Sequence, residues 1–144
     1  MRFRRPRHDR RAARGRATAH RSHAGGYSPL LDRLESQLSE YFDGTRLEFD
    51  LPLDIPGSSF QERVWGELLR IPYGETISYR QLAEKVDAGA AYRAVGRANG
   101  SNRVAIIVPC HRVVAAGGGL GGYGGGLPAK RHLLDLEARL AVMR

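Results

Sequence analysis

Hydrophobic periodicity is absent from residues 1–26 and begins abruptly at Ser28, so whatever folds here must do so in the remainder of a 144-residue chain. Residues 1–26 are Arg, Ala and His with scattered Gly, which predicts a disordered basic arm. An over-extended translation start would leave the same Arg-rich pattern. His20 and His23 read as solvated side chains rather than a metal pair. The rest is one domain's worth of chain, and 42% apolar residues suffice for a core. No run approaches the roughly 18 apolar residues of a membrane span, and no apolar stretch follows the basic start as in a secretory signal. One cysteine can form neither an intramolecular disulfide nor a multi-thiolate zinc site. A cytoplasmic protein in a reducing compartment is the expectation.

Charge is segregated along the chain. Residues 1–31 hold nine Arg and one acid, and residues 32–87 hold six bases against twelve acids. Residues 88–134 carry Arg93, Arg97, Arg103, Arg112, Lys130 and Arg131 with no acid at all. An acid-free stretch of 47 residues inside a folded domain points to a surface that faces a polyanion.

Ser28 as N-cap and Pro29 behind it open a helix with apolar positions Leu30, Leu31, Leu34, Leu38, Tyr41 and Phe42, closed by Gly44. Leu47, Phe49 and Leu51 alternate with acids as a short half-buried strand would. After Pro56-Gly57, a second helix starts at Ser58 or Ser59, each with Gln or Glu three residues on, and buries Phe60, Val64, Trp65, Leu68 and Leu69. Ser78 with Gln81 caps a third helix, and a fourth runs from Ala90 to about Asn99. That pair, joined through Gly89, has helix-turn-helix character, and Arg93 and Arg97 share one face of its second member. Val104–Val108 reads as a buried strand leading into Pro109-Cys110-His111-Arg112. Eight of the ten residues 117–126 are Gly, a flexible linker or, better, a tight hairpin that lets backbone approach a ligand. A final helix opens at Pro128 and buries Leu133, Leu136 and Leu140. The fold class is mainly α with short strands (α+β), a helix-turn-helix domain with a Gly-rich hairpin.

Cys110 sits where the apolar run ends, directly before His111. A thiol reacts as its thiolate, so it needs a base or a positive field, and His111 and Arg112 can supply both. Glu137 falls inside the apolar stripe Leu133–Leu140 of the last helix. A carboxylate there is paired, completing a Cys110–His111–Glu137 relay, or it snorkels out at the stripe's edge.

These residues, with others in register, resemble the DNA-binding, catalytic domain of the methylated-DNA–protein-cysteine methyltransferases. The matching elements are Phe60-Gln61, Val64-Trp65, Ile71-Pro72, Gly74, Thr76, Ser78-Tyr79 and Leu82-Ala83. Arg93-Ala94-Val95-Gly96, Asn102, Pro109-Cys110-His111-Arg112-Val113, the glycines around Tyr123, Lys130, Leu133-Leu134 and Glu137 follow. The match runs from about residue 28 to the end, and Pro-Cys-His-Arg-Val is its most specific block.

The resemblance implies a winged-helix-like domain and direct transfer of the alkyl group from O6-alkylguanine to Cys110, once per molecule, with base flipping. His111 would activate Cys110 through a water and Glu137 would orient His111. Asn102 would hold the turn bearing the site, and Tyr79 would donate a proton to guanine N3. Arg93 would fill the hole left by the flipped nucleotide, with Ala94, Arg97 and Arg112 beside it on the DNA. Backbone around Cys110 and Val113 would accept from the guanine amino group, and N–H groups near Tyr123 and Gly124 would donate to O6. The implied partner is double-stranded DNA carrying O6-alkylguanine, bound by a monomer with no metal and no cofactor, since the DNA is itself the alkyl donor.

The chain departs from the family in having Arg103 where Pro is common, and Gly124 where some relatives have a hydroxyl. Set beside the family, most of the usual N-terminal domain is expected to be missing. The expected organisation is an arm over 1–26, a helix and connecting strand left from that domain over 27–56, and the DNA-binding alkyltransferase domain over 57–144. The alternatives are a non-catalytic protein that binds alkylated DNA, or an inactive truncated member.

Overall fold

Serine side chains set the helix starts, as their spacing predicts. In a computed structural model that describes residues 28–143, two compact units meet between Asp54 and Ile55. The arm expected over 1–26 lies outside the described residues.

In the first unit, helix α1 (Pro29–Asp43) begins where Ser28 Oγ accepts the Leu31 N–H, and Gly44 ends it in the left-handed conformation (φ 81°). Tyr41 is buried, edge-on to Phe42 and tilted against Phe49, whereas Leu30, Leu31 and Phe42 remain largely exposed. The strand expected over Leu47–Leu51 is absent. It has no partner strand among the described residues; instead the Gln37 amide acts as one. Gln37 Nε2 donates to Asp50 O (3.0 Å) and Gln37 Oε1 accepts from Asp50 N (2.9 Å), which explains a buried glutamine in α1.

The second unit starts with α2 (Ser59–Leu68), where Ser58 and Gln61 form a complete capping box. Val64, Trp65 and Leu68 face the core, while Leu69, expected there, lies exposed past the last turn. The same device, Ser78 with Gln81, opens α3 (Tyr79–Lys85). Helix α4 (Tyr92–Gly100) follows a turn through Gly89 and has no side-chain cap. It packs on both α2 and α3, giving the helix-turn-helix, and Trp65 Nε1 donates to Ala98 O (2.9 Å) to lock α2 to α4. Two short parallel strands, β1 (Ile77–Ser78) and β2 (Val113–Val114), pair with Ile77 opposite Val113. Helix α5 (Leu127–Val142) closes the unit and packs on the turn at Cys110–Arg112. The fold is thus mostly helical with one short strand pair, an α+β helix-turn-helix domain. No helix among the described residues is long and apolar enough to cross a membrane.

Two local expectations are corrected. Val104–Val108 is a turn, not a strand: Val108 N donates to Val104 O (3.0 Å), and Ile106 takes a left-handed conformation (φ 75°) that β-branched residues rarely adopt. The β-propensity of five apolar residues loses to the Asn102 side chain, which bonds the backbone at both ends of the turn. The glycine stretch forms two turns, closed by Ala115 N to Gly119 O (2.9 Å) and Gly126 N to Tyr123 O (3.0 Å), with no ladder between them.

Candidate active site

The turn at 102–108 delivers Cys110. Asn102 holds it at both ends, donating from Nδ2 to Val108 O (2.8 Å) and accepting the Val104 N–H on Oδ1 (3.0 Å). Cys110, His111 and Arg112 then form a single 3-10 turn, buried in all three positions. Such a tight turn sends consecutive side chains in different directions. Cys110 lines a cavity of about 700 Å³, while His111 and Arg112 turn inward to α5.

Behind the thiol lies Glu137, 1% exposed. Its Oε2 is 2.7 Å from His111 Nε2, and Arg112 donates to both oxygens, from Nε to Oε1 (2.7 Å) and from a terminal nitrogen to Oε2 (3.1 Å). Burial alone pushes the carboxyl up, but the hydrogen bonds and charges of His111 and Arg112 outweigh it and hold it down at about 2. Glu137 is therefore an ionised, acceptor-only group. A proton on His111 Nε2 faces that carboxylate, so Nδ1 is the ring nitrogen left to accept. That nitrogen is buried with no protein partner among the described residues, an arrangement suited to taking a proton.

Arg112 does not belong to a DNA face. Beyond its two bonds to Glu137 it donates to Ile71 O (2.7 Å) and lies 5.6 Å from the Tyr73 ring centroid, so its guanidinium is consumed inside the unit. The acid-free stretch accordingly presents Arg93, Arg97, Arg103 and Arg131 to solvent, with Arg112 and Lys130 buried.

The cavity wall brings together Tyr79, Arg93, Asn102, Cys110, Tyr123 and Gly124, six of the residues singled out on the sequence. Arg97 stands exposed on the same helix, and Ala94 is partly buried; neither lines the cavity. Val113 does not line it either. Its side chain is fully buried and its carbonyl accepts from Lys130 Nζ at 2.6 Å, because strand pairing with Ile77 draws it behind the wall. Burial pushes the Cys110 thiol up, against the pull of Asn102 and of Lys130's charge. Burial also pushes the Tyr79 and Tyr123 phenols up, so both remain protonated at neutral pH.

Two residues beside the thiol were given no role on the sequence. Asn99, buried on α4, lines the cavity and reaches Cys110 O with Nδ2 at 3.4 Å; nothing in its spacing marks it. Lys130 is fully buried, and its signal was available: Lys130, Leu133 and Glu137 fall on one helical stripe. Among the described residues, no three of His, Cys, Asp and Glu are grouped so as to hold a metal ion.

Residues 59–139 match the family described as 6-O-methylguanine DNA methyltransferase, DNA binding domain. The chain is 56% identical over 113 residues to a methylated-DNA–protein-cysteine methyltransferase of Mycobacterium bovis, covering 78% of this chain and 66% of that protein. It is 60% identical over 102 residues to the protein of that name from Mycobacterium leprae, covering 71% and 62%. Among solved structures, Mycobacterium tuberculosis OGT in complex with DNA superposes with a TM-score of 0.74 at 55% identity, covering 76% of this chain and 68% of that one. The chain thus spans just under two thirds of the length of these curated relatives.

Proposed function

The chain belongs to the 6-O-methylguanine DNA methyltransferase family through that family's DNA-binding domain, and from this premise we propose that it repairs duplex DNA by moving the alkyl group of O6-alkylguanine onto Cys110, once per molecule. The observation that carries the reading is the thiol on an open cavity, backed by a histidine whose far nitrogen is tied to an ionised, buried carboxylate. A thiol that burial keeps protonated needs a base at the moment of attack. His111 Nδ1 is that base, through a bridging water, with Glu137 fixing the ring and balancing the imidazolium.

In the proposed reaction the damaged base swings out of the stack, at a cost of a few kcal/mol. Arg93, exposed on α4 at the cavity mouth, takes the vacated place, and Arg97 contacts the backbone. Sulfur attacks the alkyl carbon, the O6–carbon bond breaks, and its electron pair returns to guanine. Tyr79 gives guanine N3 a proton, so the leaving base departs neutral, while the thiol proton goes to His111. Backbone N–H groups at Tyr123 and Gly124 hold O6, and the Cys110 carbonyl accepts from the amino group. DNA is the alkyl donor, so the reaction calls for no cofactor. The thioether formed has no leaving route to water, which makes the reaction stoichiometric. We place this chemistry in a domain over 57–144, acting as a cytoplasmic monomer, with 27–56 as a helix and connecting segment and 1–26 as a basic arm.

The test is incubation with duplex DNA carrying O6-methylguanine labelled in the methyl group. Label should appear on Cys110, plateau at no more than one per protein, and vanish in Cys110→Ser. Release of labelled product beyond that ratio refutes the single-use mechanism. Tight binding without transfer favours a non-catalytic binder of alkylated DNA.

A further inference from the structure

Lys130 is a buried cation for which the relay has no use. It lies in the first turns of α5 with no exposed surface, and its ammonium donates to two main-chain carbonyls, Val113 (2.6 Å) and Gly122 (3.2 Å). It also sits 5.8 Å from the centroid of the Tyr79 ring. All three partners are neutral, and among the described residues no carboxylate pairs with it. An ammonium buried without a counter-ion is costly, and an apolar side chain of similar volume would fill the space at less cost. Packing does not account for it.

The neighbours indicate the missing anion. Gly122 and Tyr79, both touched by Lys130, line the same cavity as Cys110, and Val113 is the third residue after Cys110. The charged and titratable groups around the thiol are few. His111 is held by Glu137, and Arg112 and Glu137 satisfy each other behind it. Tyr79 and Tyr123 face the thiol as neutral phenols. Arg93, on the same cavity wall, is exposed to solvent, which leaves Lys130 as the buried positive charge near the thiol that no carboxylate matches, among the described residues.

We propose that Lys130 is the standing counter-charge of Cys110, an ammonium that stabilises the thiolate as it forms while His111 takes the proton. With the thiol protonated the pocket holds one unmatched positive charge; with the thiolate formed, the two cancel. The electrostatics run the same way: burial pushes the amine down and the thiol up, and the attraction between the two charges opposes both shifts. The inference rests on Cys110 as the nucleophile, but not on its reaction with DNA.

The experiment is the pH profile of alkylation of the single thiol by iodoacetamide, on the full chain, for the unmodified protein, Lys130→Gln and Lys130→Arg. Gln retains a donor without the charge, and Arg retains the charge. Lys130→Gln should move the thiol's midpoint up by about one pH unit and slow alkylation about tenfold below it. Lys130→Arg should stay within about 0.3 unit of the unmodified protein, well short of what losing a neighbouring charge does. Coincident curves for Gln and the unmodified protein overturn the proposal, as does an equal shift in both variants. If Lys130→Gln does not fold, the unmodified protein decides alone. Titration of its Lys130 amine by NMR should show a lower midpoint after Cys110 is S-methylated, and an unchanged midpoint overturns the proposal. Methyl transfer from DNA is measured in parallel. Its failure alongside the expected thiol profiles sinks the repair reading and leaves the counter-charge standing.

Discussion

Glu137→Gln is the substitution that most directly probes the buried cluster. Glutamine retains the shape but can accept on one oxygen only, and its amide N–H groups must face a donor, either His111 Nε2–H or an Arg112 N–H. Either orientation of the amide turns two of the four observed hydrogen bonds to Glu137 into donor–donor contacts, and the Arg112 guanidinium, 7% exposed, loses its counter-charge. Removing one partner of a buried ion pair costs about 3–5 kcal/mol. The acid titration gives an independent figure. Glu137 is held at about 2 against an ordinary 4.5, a difference worth about 3 kcal/mol at neutral pH. In the unfolded chain the carboxyl protonates near 4.5, and in the folded one only near 2. Between those values the unfolded state binds more protons, so this stability is full above 4.5 and drains away as pH falls toward 2. Urea unfolding followed by the fluorescence of buried Trp65, at several pH values, reads both effects. The variant should lose about 3–5 kcal/mol at pH 7, and its stability should fall less steeply on acidification. A loss below about 1 kcal/mol, the scale of an exposed pair, would refute the buried-cluster reasoning. So would an acid limb as steep as that of the unmodified protein.

Arg93→Ala should slow transfer from duplex DNA about tenfold, or about 1.4 kcal/mol, yet leave reaction with the free base O6-methylguanine little changed; equal losses would make Arg93 structural. Gly121→Ala places a Cβ 2.7 Å from the Tyr79 ring at a φ of +72°, so it should displace that phenol and cost about 1–3 kcal/mol of stability. Its transfer rate should fall with it, and single-turnover kinetics matching the unmodified protein would show that the Tyr79 position does not matter. Deleting residues 1–26, argued from their charge alone, should flatten the salt dependence of DNA binding by roughly 0.9 in log–log slope per lost phosphate contact. The saturated transfer rate should stay within about twofold; a tenfold drop would give the arm a part in the chemistry.

What could be read from the chain beforehand was local chemistry. Ser28, Ser58 and Ser78 mark their helices because a side-chain cap is decided within four residues. Where no side chain caps, at Ala91, the expected start is off by two residues. Glu137 was legible because a carboxylate on an apolar stripe requires a partner. Arg112 was not: an arginine in an acid-free run reads as surface, and only a carboxylate 25 residues away draws it inward. The strands failed for a related reason. Val104–Val108 and Leu47–Leu51 have the composition of strands, but a strand needs a neighbour, and asparagine and glutamine side chains supply the backbone's hydrogen bonds instead. The strands that do form are two residues each, too short to show any period.

The Arg112 guanidinium also ties together parts of the chain that are far apart in sequence. It joins Ile71, 41 residues before it, to Glu137, 25 residues after it. Contacts of such long range form late in folding and open together. A molecule in which α5 has come away has lost the carboxylate that orients His111, so its exposed cysteine is an ordinary thiol. Transfer that depends on the relay is thereby confined to intact molecules, which matters for a thiol that the proposed reaction spends once: an opened chain keeps the cysteine but not the base placed to serve it.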